Sequence, residues 1–160
     1  MLKQTKLKKF RRAGGRFAIV ASEYNGRYVN AMLRSAKAEL LRAGAECVQV
    51  VRVPGAFEIP VVAARLARME APGWSAILCL GVIIRGKTTH AQHIGEAVTA
   101  ALAHLQLAHE IPVIHEVLLL ENAAQAQARC LGGKYNRGTE AAQTALRMAR
   151  VMESLASPNE

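Results

Sequence analysis

Strand-like and helix-like segments alternate four times along this chain, and few architectures can absorb that pattern. Residues 16–22 (RFAIVAS), 46–53, 75–84 and 112–120 are short apolar runs rich in strand-forming side chains. Between them run helical stripes. One covers 27–43 through Val29, Leu33, Ala36, Leu40 and Leu41 and stops at Gly44. A second spans about 57–69, with Pro60 in its first turn, where a missing N–H costs little. A third, 90–109, carries Ile94, Val98, Ala101, Leu102 and Leu105, and two more helices are expected near 122–129 and 138–155. Such alternation predicts an α/β fold, a three-layer sandwich with a four-stranded parallel sheet and helices on both faces, joined by right-handed crossovers. The run 75–84, apolar after Ser75 except for Gly81, suits a strand covered on both sides.

A chain of 160 residues fits one domain over 15–157. No apolar run approaches the roughly 18 residues of a membrane span, and the start of the chain lacks the apolar segment of a signal peptide. Cys47, Cys79 and Cys130 are widely spaced, the first two in apolar strand-like runs. Buried free thiols in a reducing cytoplasm are the expectation. The net charge of +9 is concentrated: Lys3, Lys6, Lys8, Lys9, Arg11 and Arg12 contribute six of it, leaving three for the rest. Residues 1–14 therefore read as a flexible basic arm, either a contact for a polyanion or a solvated tail. No nucleic-acid-binding motif follows, so nucleic acid is not an expected partner.

Ligands of open parallel sheets sit beyond the carboxyl ends of the strands. Four turns matter on that ground: 23–25, 54–58, 85–90 and 121–122. Gly81 to Thr88 also satisfies G-x-x-x-x-G-K-[ST], the phosphate-cradling loop of nucleotide triphosphatases. That loop must curl its N–H groups around phosphate, whereas Val82, Ile83 and Ile84 are shaped for extended strand. A shorter anion site survives the objection: Gly86-Lys87-Thr88-Thr89 stands at a helix start, where free N–H groups favour a phosphate. Thr88 or Thr89 can cap that helix. His90, in the first turn, is either a proton shuttle beside the phosphate or plain polar surface. His90 and His93 lack a third ligand spaced to complete a metal site, so no metal is expected.

Taken together these segments resemble the lumazine synthase family over about residues 16–155. The resemblance rests on Tyr24-Asn25, on Val53-Pro54-Gly55-Ala56-Phe57-Glu58-Ile59-Pro60, and on Gly81 with Arg85-Gly86-Lys87-Thr88-Thr89-His90. It is completed by Glu121-Asn122 with Gln125, Ala126 and Arg129, and by Asn136-Arg137-Gly138 with Glu140-Ala141-Ala142. A flavodoxin-like fold is implied. So is an enzyme, a transferase of riboflavin biosynthesis that condenses 5-amino-6-(D-ribitylamino)uracil with 3,4-dihydroxy-2-butanone 4-phosphate into 6,7-dimethyl-8-ribityllumazine. The resemblance implies no cofactor.

By the same resemblance, Tyr24 would stack on the uracil, while Ala56, Phe57 and Glu58 would contact the uracil and its ribityl chain. Val82, Ile83 and Ile84 would wall the pocket; Lys87, Thr88 and Arg129 would hold phosphate, and His90 would transfer protons. From the residues alone, Tyr24 could equally anchor its loop, Glu58 favour a first helical turn, Val82–Ile84 be sheet core and Arg129 be a solvated charge. His115 stands where the family usually has a stacking phenylalanine, which adds a titratable group and an expected pH dependence near about 6 to 7. Ala91-Gln92 replace an aromatic and an acid, Arg137 a lysine, Leu118-Leu119-Leu120 a threonine-rich stretch, and Glu23 a basic residue. The family forms homopentamers, some as 60-subunit icosahedral shells, with His115 and Arg129 offered to a neighbour's pocket; association with riboflavin synthase is a further implication. Two other readings stay open at this point: a nucleotide triphosphatase, and a non-catalytic flavin-binding or shell-forming protein of the same fold.

Overall fold

The computed structural model describes residues 14–156; the charges of the basic arm, Lys3 to Arg12, lie outside them. Four strands, β1 (Arg16–Ser22), β2 (Cys47–Val53), β3 (Ala76–Ile84) and β4 (Val113–Leu120), form one sheet in the order β2-β1-β3-β4. Every neighbouring pair is parallel. Five α-helices connect and cover them: α1 (Gly26–Arg42), α2 (Ile59–Ala67), α3 (His90–His109), α4 (Ala123–Cys130) and α5 (Arg137–Ala156).

Alternate strand residues feed two cores. Phe17, Ile19 and Ala21 face α1, α4 and α5 with Leu78, Leu80 and Leu146, while Ala18 and Val20 face α2 and α3 with Ile77, Ile59 and Val98. Because β1 and β3 are inner strands with a helical layer on each side, their side chains are buried along almost their whole length. This is the three-layer sandwich anticipated from the alternation. Cys79 and Cys130 are buried, but Cys47 is only partly so, because it opens the edge strand β2.

Local chemistry sets the boundaries. Gly44, at φ 85°, takes the left-handed conformation that ends α1. Asn122 caps α4, its side-chain oxygen accepting from the Gln125 N–H at 3.0 Å. Helix α2 starts later than its pattern predicts, since Ala56–Glu58 form a separate 3₁₀ turn. Gly138 of α5 is dictated by packing: a Cβ there would overlap the backbone of Met32 in α1. Asn136 ties the two C-terminal helices together. Its amide donates to the Cys130 carbonyl at 2.6 Å, and its oxygen accepts from the Gly138 N–H at 2.8 Å.

Candidate active site at the carboxyl ends of the strands

In the order β2-β1-β3-β4 the chain runs outward from β1 to β2, then crosses back to β3 on the other side. The crevice between β1 and β3 is therefore the switch point where ligands of such sheets bind. A cavity of about 890 Å³ opens there, between the turns that follow β1, β2 and β3. Tyr24, Ala56, Phe57, Glu58, Val82, Ile83, Ile84, Thr88 and His90 all line it.

The turns are fixed by backbone pairing rather than by packing of their side chains. Glu23 N–H donates to the Val53 carbonyl at 2.8 Å and Tyr24 N–H to the Pro54 carbonyl at 3.0 Å. Asn25 sits in the left-handed region at φ 55°, which asparagine tolerates, and donates its amide to the Val82 carbonyl at 2.7 Å. Three strand ends are thus pinned together. The aromatic rings on them are left outside: Tyr24 is 77% exposed and Phe57 61%. Large rings held on rigid turns at the mouth of a cavity offer flat apolar surface to a planar ligand. Glu58 is partly committed, since its carboxylate accepts from the Gly55 N–H at 2.9 Å, leaving the remaining lone pairs for a ligand.

The opposite wall is the turn from Arg85 to the start of α3. Strand β3 continues to Ile84, so Val82–Ile84 are extended and cannot curl around a nucleotide. Gly81 is a packing residue: a Cβ would come within 3.2 Å of Val117 and 3.3 Å of Ile59. The triphosphatase reading falls on both counts. Gly86 is different, as a Cβ there would meet nothing within 4 Å. Thr89 occupies the cap position of α3 without a side-chain capping bond, and Thr88 Oγ1 accepts only a long 3.4 Å bond from the His90 N–H. The threonine pair is therefore not consumed by capping. Arg85 forms an ion pair with Glu121 at 3.2 Å across the ends of β3 and β4.

Three of the residues named from sequence lie elsewhere. Lys87 is exposed on the same turn but is not among the lining residues. His115 on β4 and Arg129 on α4 are exposed and stand apart from this cavity. The fourth turn, 121–122, also fails to join the site: β4 is an edge strand beyond β3, and its turn residues cap α4. Sequence reasoning missed Ala91, His93, Ile94 and Ala97, which line the cavity from α3. Their spacing with His90 is one helical face and would have found them. Among the described residues no group of three His, Cys, Asp or Glu could hold a metal, and no helix is long and apolar enough to cross a membrane.

Behind β4 lies a polar cluster invisible to local pattern. The Glu116 carboxylate is buried and bidentate with the Arg137 guanidinium, both contacts at 3.0 Å; Arg137 also reaches Glu140 at 2.7 Å. Burial pushes the Glu116 carboxyl up to about 7, against the pull of Arg137. Burial likewise pushes the Cys79 thiol up to about 12 and the Cys130 thiol up to about 11, so neither is a nucleophile.

A parallel α/β sandwich with a two-walled cleft at its switch point, aromatic on one side and an open helix start on the other, defines a class of small-molecule enzymes. Within it, the chain belongs to the 6,7-dimethyl-8-ribityllumazine synthase family, whose model matches residues 14–153. It is 43% identical to the 6,7-dimethyl-8-ribityllumazine synthase of Stenotrophomonas maltophilia (strain R551-3) over 142 residues, covering 88% of this chain and 90% of that one. It is 39% identical over 142 residues to the enzyme of the same name from Xanthomonas oryzae pv. oryzae (strain PXO99A), covering 88% and 91%.

Proposed function

We propose that this protein condenses 5-amino-6-(D-ribitylamino)uracil with 3,4-dihydroxy-2-butanone 4-phosphate, releasing phosphate and water, to give 6,7-dimethyl-8-ribityllumazine. The observation that carries the reading is the two-walled cavity at the switch point in a chain of this family. Tyr24 and Phe57 take the pyrimidine between exposed rings, with backbone groups of Val82–Ile84 along its edge. Glu58 receives ribityl hydroxyls on its free lone pairs, and Ala56 keeps that wall low. Gly86, which leaves open space, lets the phosphate approach the N–H groups at the start of α3, with Lys87 and Thr88 beside it.

In this reading the uracil 5-amino group attacks the ketone to form a Schiff base, phosphate is eliminated and the ring closes. Most of the acceleration comes from holding two substrates in register, while His90 moves protons. His115 and Arg129 reach a neighbour's cavity in a homopentamer, where Arg129 supplies a guanidinium fork to phosphate. A reducing cytoplasm suits a chain whose three cysteines are all free thiols.

Mixing the two substrates with the protein and following lumazine absorbance and fluorescence tests the proposal. Product is expected, and kcat should fall about 100-fold in His90→Gln. Binding without product would make the protein non-catalytic. Light scattering reads the assembly: about 90 kDa for five copies of the 17.3 kDa chain, about 1 MDa for sixty.

A further inference from the structure

We propose that Thr99 is a positioning residue that locks His115 as a neutral imidazole, protonated at Nε2, so that the ring serves as an aromatic face and not as an acid or base. The inference deepens the proposed function and rests on its assignment of His115 to the substrate wall of a neighbouring subunit.

Three contacts account for the protons around the His115 ring. The Val117 N–H donates to His115 Nδ1 at 3.1 Å, so Nδ1 is the acceptor nitrogen. The other nitrogen, Nε2, lies 2.8 Å from Thr99 Oγ1. Thr99 has a single hydroxyl proton, and it goes to the Gly95 carbonyl at 2.7 Å, four residues back on α3. The hydroxyl oxygen can then only accept, and the proton between the two side chains belongs to Nε2. Three hydrogen bonds all run in one direction, from the Val117 N–H to the Gly95 carbonyl, and admit one tautomer.

Both ring nitrogens are thereby spent, and the ring plane is held from two sides. A second proton on Nδ1 would face the Val117 N–H, donor against donor, so the charged form is disfavoured by geometry. Partial burial lowers the His115 pKa from its ordinary value, in the same direction. His115 remains exposed, so the ring is still offered to a ligand. The contact to Val117 has a second effect, because β4 is the edge of the sheet and this N–H has no strand partner there. Gln106 covers the Val113 N–H in the same way, at 2.9 Å. His115 is thus held by the edge it caps.

The test combines a spectroscopic and a kinetic readout. Nitrogen-15 NMR of the His115 ring in the whole assembled protein at neutral pH should give one protonated Nε2 and one unprotonated Nδ1. In Thr99→Val the two nitrogens should move toward averaged values. A protonated Nδ1, or averaged shifts in the unaltered protein, would overturn the proposal. In kinetics, Thr99→Val should raise the KM for the uracil substrate about threefold with kcat nearly unchanged. In the His115→Phe background, whatever KM that variant has, adding Thr99→Val should raise it no further. An equal rise of KM in the His115→Phe background would mean that Thr99 acts on something else, and the idea fails. If no lumazine forms at all, the functional reading falls while the NMR result still decides the role of Thr99.

Discussion

The two ends of helix α5's neighbourhood and of the cavity differ in how they use polar groups. Around α4, α5 and β4, the polar atoms of Asn136, Glu116 and Arg137 are bonded within the fold. Around the cavity, Thr88, the Tyr24 ring, the Phe57 ring and much of Glu58 are left uncommitted. Both regions carry family motif residues, and they look alike as letters. The difference teaches that a motif mixes residues needed to build the fold with residues kept free to meet a ligand. Spent bonding capacity separates the two.

That contrast can be broken most forcefully at Gly138. Gly138→Val puts a side chain into the Met32 backbone and should cost more than about 3 kcal/mol in urea unfolding, or prevent folding. A near-neutral result would mean that α1 and α5 can slide apart. Next comes Glu116→Ala, which removes two hydrogen bonds to the Arg137 guanidinium and leaves it Glu140; a loss of about 2 kcal/mol is expected. Its activity per folded molecule should change little. Tyr24→Ala and Phe57→Ala sharpen the comparison from the other side: stability should stay within about 0.5 kcal/mol. The kcat/KM for lumazine formation should drop about tenfold, or about 1.4 kcal/mol.

The smallest effect is a pH dependence with two opposing parts on consecutive residues. His115 has a folded pKa below its ordinary 6.5, so its stabilising contribution is present above about pH 6.5 and is lost as pH falls toward the folded value, because the unfolded chain takes the proton first. Glu116 is raised from 4.5 to about 7, so its folded form takes the proton first and acidification through that window stabilises the protein. Comparing urea midpoints at about pH 7.5 and about pH 5.5 for the unaltered protein and His115→Phe isolates the histidine. Acidification should shift the midpoint less favourably in the unaltered protein than in the variant, and equal shifts would count against a depressed His115 pKa.

Much of the fold was legible because its signals are local. Apolar alternation, Gly44 at a helix end and Pro60 in a first turn act within a few residues, and strand and helix limits fall within a residue or two of the pattern. The cavity was legible as far as the strand-end rule reaches, through Tyr24, the 54–58 turn and the 85–90 turn. The rule overreached at Glu121-Asn122, because residues at the end of an edge strand need not face the switch point. Gly81 misled because a glycine required by Val117 and Ile59 is spelled like a glycine required by a phosphate. The Glu116–Arg137 pair spans 21 residues and leaves no periodic trace. The state of His115 needed Thr99, sixteen residues earlier on another element.

The seating of Gly138 against Met32 has a consequence for how the chain folds. Helix α5 supplies Ala141, Ala142, Ala145, Leu146 and Ala149 to the core that also holds Phe17, Ile19 and Leu78. Strand β1 therefore waits for α5 before this whole face of the sheet is covered. Contacts between such distant parts of a sequence form late and slowly. Until α5 is in place, only α1 and α4 shelter this face of the sheet, so closure of the core depends on the last of the described helices.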